Sequence, residues 1–80
     1  MWHVYLLECS DKTLYTGITT DIDRRVKEHN GGSRGAKYTR GRRPVILLGF
    51  IGVTSKSIAL KLEYKIKQLP RDEKLNYVKR

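Results

Sequence analysis

Apolar and polar positions change period several times along the chain, and each change predicts an element. Residues 2–9, with Trp2, Val4, Tyr5, Leu6 and Leu7, alternate with an apolar bias and predict a strand. Residues 13–19, TLYTGIT, are rich in threonine, aromatic and β-branched types and predict its partner. A three-residue loop at Ser10-Asp11-Lys12 places Cys9 opposite Thr13. Tyr5 then faces Gly17, with Tyr15 its diagonal neighbour on the same sheet face. Over 21–30 the period becomes helical: Ile22, Val26 and His29 fall at i, i+4 and i+7. Thr20 or Asp21 caps that helix, Asp23 adds charge to its first turn, and Asn30-Gly31-Gly32 stops it. Arg25 borders the apolar face, and Arg24 pairs with Glu28 on the outer side. After Pro44 the run VILLGFIGV predicts a third strand covered on both faces. Ser55 caps a second helix with an apolar stripe of Ile58, Leu62, Ile66 and Leu69, and Glu63 stands at the stripe's edge. Pro70 ends that helix and suits the start of a terminal one over 71–79, which packs Leu75 and Val78.

The order β-β-α-β-α-α predicts an α+β fold, a small three-stranded antiparallel sheet flanked by helices. Eighty residues without a repeat or linker predict a single domain over 1–80. Residues 31–43, GGSRGAKYTRGRR, have no hydrophobic period and read as a mobile, solvated loop.

Charge changes the picture. Lysine and arginine outnumber aspartate and glutamate 17 to 8, giving net +9 and a pI near 10. Such an excess in so short a chain points to a polyanionic partner, nucleic acid above all. The basic loop, with Lys37, Arg40, Arg42 and Arg43 around Tyr38, suits phosphate contact with one stacking aromatic. No apolar run reaches the length of a membrane span, and no signal-peptide pattern opens the chain. The single cysteine, Cys9, excludes an internal disulfide and a multi-cysteine zinc site, and fits a cytoplasmic location.

The residues able to carry chemistry are Tyr5, Tyr15, Arg25, His29, Lys37 and Glu63, and singly each has an ordinary reading as core or surface. Together they suit phosphodiester hydrolysis, which needs a cation on the phosphate, a group to deprotonate water and help for the leaving oxygen. A carboxylate can hold Mg²⁺ with several waters, and a tyrosine whose pKa is lowered beside a cation can act as base. Gly17, without a side chain, is expected to leave an opening beside Tyr5.

The tripeptides Val4-Tyr5-Leu6 and Tyr15-Thr16-Gly17, the Thr-Thr-Asp turn, Arg25-x-x-x-His29 and the later Glu63 together resemble the GIY-YIG nuclease domain. The likeness covers nearly the whole chain and is strongest to small stand-alone bacterial members. It departs in the flanking residues of both tripeptides, and Asn76 is a poor counterpart for the late asparagine of many active members. The resemblance implies a metal-dependent endonuclease acting on DNA, RNA being admissible, in repair or recombination. Tyr5 would then be the base or orient the attacking water, Tyr15 would contact water or phosphate, and Gly17 would allow their approach. Arg25 would stabilise the transition state, His29 would assist proton transfer and Glu63 would ligate Mg²⁺ or Mn²⁺. A separate protein would provide specificity. The alternative is a non-catalytic or weakly active nucleic-acid-binding accessory module.

Overall fold

Strand β1 (Trp2–Glu8) is the centre of a three-stranded antiparallel sheet in the computed structural model, which describes residues 1–78. It is flanked by β2 (Leu14–Thr19) and β3 (Ile46–Val53) in the order β2-β1-β3. The hairpin has the expected register: Cys9 N donates to Thr13 O at 2.9 Å, and Tyr5 pairs with Gly17. Helix α1 (Ile22–Asn30) begins at Asp21, whose carboxylate accepts from Arg24 N. The later helices are α3 (Lys56–Lys67), capped by Ser55, and α4 (Arg71–Tyr77), entered through Pro70. Lys79, the last residue of the expected terminal helix, lies outside the described residues. No helix among the described residues is long and apolar enough to cross a membrane.

Because side chains alternate along β1, one strand feeds two cores. Val4 and Leu6 point to one face and pack with Ala59 and Ile66 from α3 and with Val78, which caps the end of α4. Tyr5 and Leu7 point to the other and pack with Cys9, Val45, Tyr15 and Val26. The α+β class and the expected order stand, with one addition. A four-residue helix, α2 (Lys37–Arg40), lies inside the basic stretch that had no hydrophobic period.

Three expectations about packing are corrected. Strand β3 is an edge strand and is not covered on both faces: Ile46 is 59% and Phe50 42% exposed. An uninterrupted apolar run does not distinguish a doubly covered strand from an edge strand whose outer residues meet solvent. On α3 the buried positions are Ala59 and Ile66 with Leu62 beside them, whereas Ile58 is 47% exposed. The sheet meets the expected stripe at Leu62 and Ile66 but takes Ala59 in place of Ile58, and this small rotation brings Glu63 to the margin of the buried face. The basic stretch is pinned rather than loose. Arg40 donates to Ser33 O, Arg42 to Tyr38 O, and Arg43 to both His29 O and Gly32 O. Asn30 bonds both backbone groups of Val45, N–H at 2.6 Å and C=O at 3.1 Å, tying the end of α1 to the entry of β3. Gly35 lets this stretch lie against α1, since a Cβ there would sit 2.7 Å from Glu28 O.

Candidate active site

Four elements build the Tyr5 face of the sheet. β1 and β2 supply Tyr5 and Tyr15, α1 supplies Arg25 and His29, and α2 supplies Tyr38 and Thr39. The Tyr5 and Tyr15 rings lie 6.4 Å apart between centroids, as diagonal neighbours should. His29 packs edge-on against both, at 5.8 Å and 5.2 Å. Gly17 has a role other than the expected one. The Tyr5 ring itself fills the space above it, and a Cβ at Gly17 would meet the Tyr5 hydroxyl and come within 2.6 Å of its Cζ. The glycine therefore lets the phenol lie flat across β2, and the Tyr5 side chain leaves no opening there.

A chain of hydrogen bonds runs inward from Tyr5. Its hydroxyl lies 2.8 Å from His29 Nε2, and His29 Nδ1 lies 2.8 Å from Thr39 Oγ1. Thr39 has one hydroxyl proton, which it donates to Ala36 O at 3.0 Å. Nδ1 must then carry the imidazole proton and donate to Thr39, leaving Nε2 to accept from Tyr5. Burial, reinforced by the Arg25 charge, holds His29 down to about 4, so the ring is neutral near pH 7 and has this one tautomer. Thr39 is fully buried and was not singled out from sequence. Its signal is faint: a threonine in a polar stretch whose contact with His29 exists only through the α1–α2 packing.

The phenols differ in access. Tyr5 is 1% exposed, and burial pushes it up to about 12 against the opposing influence of the Arg25 guanidinium beside it. This overturns the expectation of a lowered pKa, because the cation does not repay the lost hydration. Tyr15 is half-buried and is also raised, chiefly by burial. Glu63 raises both phenols, so its carboxylate lies within electrostatic reach of the pair. It is half-buried and pairs with Lys67 at 3.6 Å.

Arg25 is held from two sides, donating from Nη1 to Glu28 at 2.9 Å and to Arg34 O at 2.7 Å. Burial works against its charge, and the bond to Glu28 together with the neighbouring Tyr5 phenol outweighs that and raises it further. Tyr38 stacks on Tyr15 at 5.9 Å with Arg42 4.0 Å from its ring centroid and is 38% exposed, so it forms the solvent-facing end of the aromatic group. Arg40, Arg42 and Arg43 spend some donors inside the loop, but each guanidinium has five. Lys37 opens α2 and is exposed. Asn76 sits on exposed α4, which packs on the opposite sheet face, away from these residues.

Among the described residues no three His, Cys, Asp or Glu side chains cluster to cage a metal. Glu63 is the carboxylate that bears on both phenols, and an ion such as Mg²⁺ needs only one or two carboxylates because it commonly keeps several waters.

Comparison with known proteins agrees with this arrangement. The family model of the GIY-YIG catalytic domain matches residues 1–76. A UPF0213 protein of Halobacterium salinarum is 61% identical over 74 residues, covering 92% of this chain and 95% of that protein. One from Syntrophus aciditrophicus is 56% identical over 77 residues, covering 96% and 88%. Two solution NMR structures are similar. A UPF0213 protein of Bacillus halodurans has TM-score 0.58 and 49% identity, covering 96% of this chain and 82% of that one. A protein of E. faecalis has TM-score 0.63 and 42% identity, covering 94% and 79%. The chain therefore belongs to the GIY-YIG family, a nuclease-type family, and to its small UPF0213 branch.

Proposed function

We propose that the protein hydrolyses DNA phosphodiester bonds with a divalent ion, Mg²⁺ or Mn²⁺, held by Glu63. The observation that carries this is the directed chain Tyr5–His29–Thr39 beside a fixed Arg25. A phenol near 12 is a poor base alone, but it can take a proton from water while passing its own to His29 Nε2. One O–H bond of water breaks and its proton goes to the Tyr5 oxygen as the Tyr5 proton moves to His29 Nε2. The hydroxide attacks phosphorus while the P–O bond to the leaving oxygen breaks, and that oxygen takes its proton from solvent. Arg25 stabilises the charge that develops on the phosphate oxygens. A phosphate on Arg25 also offsets the positive charge that depresses His29, which makes the imidazole a better acceptor when substrate is bound. Tyr15, the more accessible phenol, is placed to orient the water or a phosphate oxygen. A divalent ion, which Glu63 would hold, would supply Lewis-acid stabilisation of the leaving oxygen. Lys37, Arg40, Arg42 and Arg43 grip neighbouring phosphates, Tyr38 stacks on Tyr15 from the solvent side, and a protein partner sets the target in repair or recombination.

The test is cleavage of supercoiled, branched and single-stranded DNA with Mg²⁺ or Mn²⁺ by the wild type, Tyr5→Phe and Glu63→Ala. The proposal requires cutting by the wild type and its loss in both variants. A wild type that cuts nothing, or variants that cut equally well, ends it. Burial of Tyr5 favours a second reading, a nucleic-acid-binding accessory module that has kept the site's architecture. That reading expects binding that weakens steeply with salt and on neutralising Arg40, Arg42 and Arg43, without cleavage.

A further inference from the structure

Helix α1 covers the Tyr5 face only in part, and the uncovered side holds an aromatic residue that the site above does not use. Phe50 is the cross-strand partner of Tyr5 on β3, so the two rings rise from the same sheet face one strand apart. Tyr5 is buried, whereas Phe50 is 42% exposed. The His3 ring stands edge-on to Phe50 at 5.6 Å and 82°. Between these rings and the start of α1 lies a cavity of about 470 Å³, lined also by Leu47, Ile22, Asp21 and Asp23. Its size is in the range of small-molecule sites, roughly 300–1,000 Å³. His3 Nδ1 is enclosed and has no hydrogen-bond partner among the described residues, so nothing at that nitrogen fixes the ring.

The rim decides what fits. In a chain of net +9, this cavity is bordered by two carboxylates and no lysine or arginine. Phosphate is therefore excluded from it. A flat, uncharged group that stacks on an aromatic face and offers N–H donors is accepted. Resting on the nuclease reading above, we infer that the cavity holds an unpaired nucleobase of the strand whose phosphate lies on Arg25. Phe50 is the stacking platform, His3 the side wall, and Asp23 the acceptor for an exocyclic amino group. Asp21 is already engaged in capping α1. Stacking on an aromatic side chain works for any base, and the carboxylate favours cytosine, which carries an amino donor, over thymine, which carries an acceptor there.

The test is binding in EDTA, where cleavage plays no part. Oligodeoxycytidylate, oligothymidylate and an abasic oligomer of equal length are titrated against wild type, Phe50→Ala, Phe50→Trp and Asp23→Asn. Phe50→Ala should weaken oligodeoxycytidylate binding roughly five- to hundredfold, the range for one stacked base. Phe50→Trp should restore it. The abasic oligomer should bind wild type and Phe50→Ala alike, with the same salt dependence. The wild type should prefer cytidylate over thymidylate, and Asp23→Asn should narrow that preference. NMR should show upfield shifts of the Phe50 and His3 ring protons with the base-bearing oligomers only. The inference is overturned if Phe50→Ala binds cytidylate as wild type does, if the abasic oligomer binds as tightly as cytidylate, or if wild type binds cytidylate and thymidylate equally. It is overturned as well if the wild type dimerises and Phe50→Ala is monomeric, which would assign the patch to a second copy. Loss of cleavage alone leaves these binding results standing, so the two proposals fail separately.

Discussion

The two faces of the sheet come from alternate residues of one strand and are built on different physics. On one face Val4 and Leu6 meet Ala59, Ile66 and Val78, and stability comes from apolar burial. On the other Tyr5, His29 and Thr39 are equally buried, yet each carries a polar atom satisfied by the next. Buried polar chains of this kind stabilise little on balance and cost heavily when broken. Their value is direction: a phenol, one imidazole tautomer and a hydroxyl in fixed order. The first face makes the fold, and the second holds the chemistry at rest.

Arg25→Ala should break the comparison most sharply. It removes the guanidinium that stands beside Tyr5, and cleavage should fall about 10²–10³-fold, as for loss of one transition-state donor. Single-turnover cleavage under saturating DNA checks this, and a loss below tenfold would take Arg25 out of the chemistry. On the other face, Ile66→Ala should cost about 2–5 kcal/mol of stability by leaving a cavity. Its cleavage rate at low temperature, per folded molecule, should match wild type. Denaturant melts together with that rate measure both. If Ile66→Ala slowed cutting without unfolding, the separation of the faces would be wrong.

The sequence made the hairpin legible because register follows from loop length and period two, and Cys9, Tyr5 and Gly17 fall where that arithmetic puts them. The Arg25–His29 helix was legible for the same reason, since spacing and caps are local. What could not be read was long-range. The function of Gly17 depends on which way the Tyr5 ring lies. The depth of Tyr5 burial, and with it the direction of its pKa shift, depends on α1 closing over the sheet. Strand β3 looked doubly covered because hydrophobicity records composition but not the number of neighbouring layers. The basic loop looked loose because its anchors, Arg43 on the end of α1 and Asn30 on Val45, join residues up to 15 positions apart.

Thr39 tests whether the polar chain is directional. Thr39→Val keeps the shape but leaves the His29 Nδ1 proton without its acceptor, at a cost of about 1–3 kcal/mol. Cleavage should fall roughly tenfold, the equivalent of about 1.4 kcal/mol in the barrier. Thr39→Ser should restore both, which a purely steric role for the threonine would not predict. Acid sharpens the same point. His29 stays neutral down to about 4 in the folded chain, against 6.5 for an ordinary histidine. The unfolded chain therefore binds the proton first. Stability from this residue is intact above pH 6.5 and is lost as pH falls toward 4. Urea melts between those limits should show a shallower decline in His29→Gln, and an equal decline would exclude His29 as the titrating group.

The smallest effect is expected where the basic loop meets the hairpin. Arg42 Nε donates to Asp11 at 3.0 Å, and Ser10 N donates to Arg42 O at 2.9 Å, so the turn and the loop share an anchor. Asp11 is held below the usual carboxylate range, first by the Thr13 hydroxyl and amide, then by Arg42. Its contribution is therefore present at neutral pH and lost only as pH falls below the ordinary carboxylate range. Because the pair is exposed and open to screening by salt, Asp11→Asn should shift the unfolding midpoint by less than about 4 °C and leave cleavage unchanged. Its visible effect should be local: faster amide exchange at Ser10 and Arg42, since the backbone bond between turn and loop loses its neighbouring ion pair. Unchanged exchange at both amides would show that the Asn30 and Arg43 anchors hold the loop without the hairpin. In that case the polar face owes its order to α1 alone.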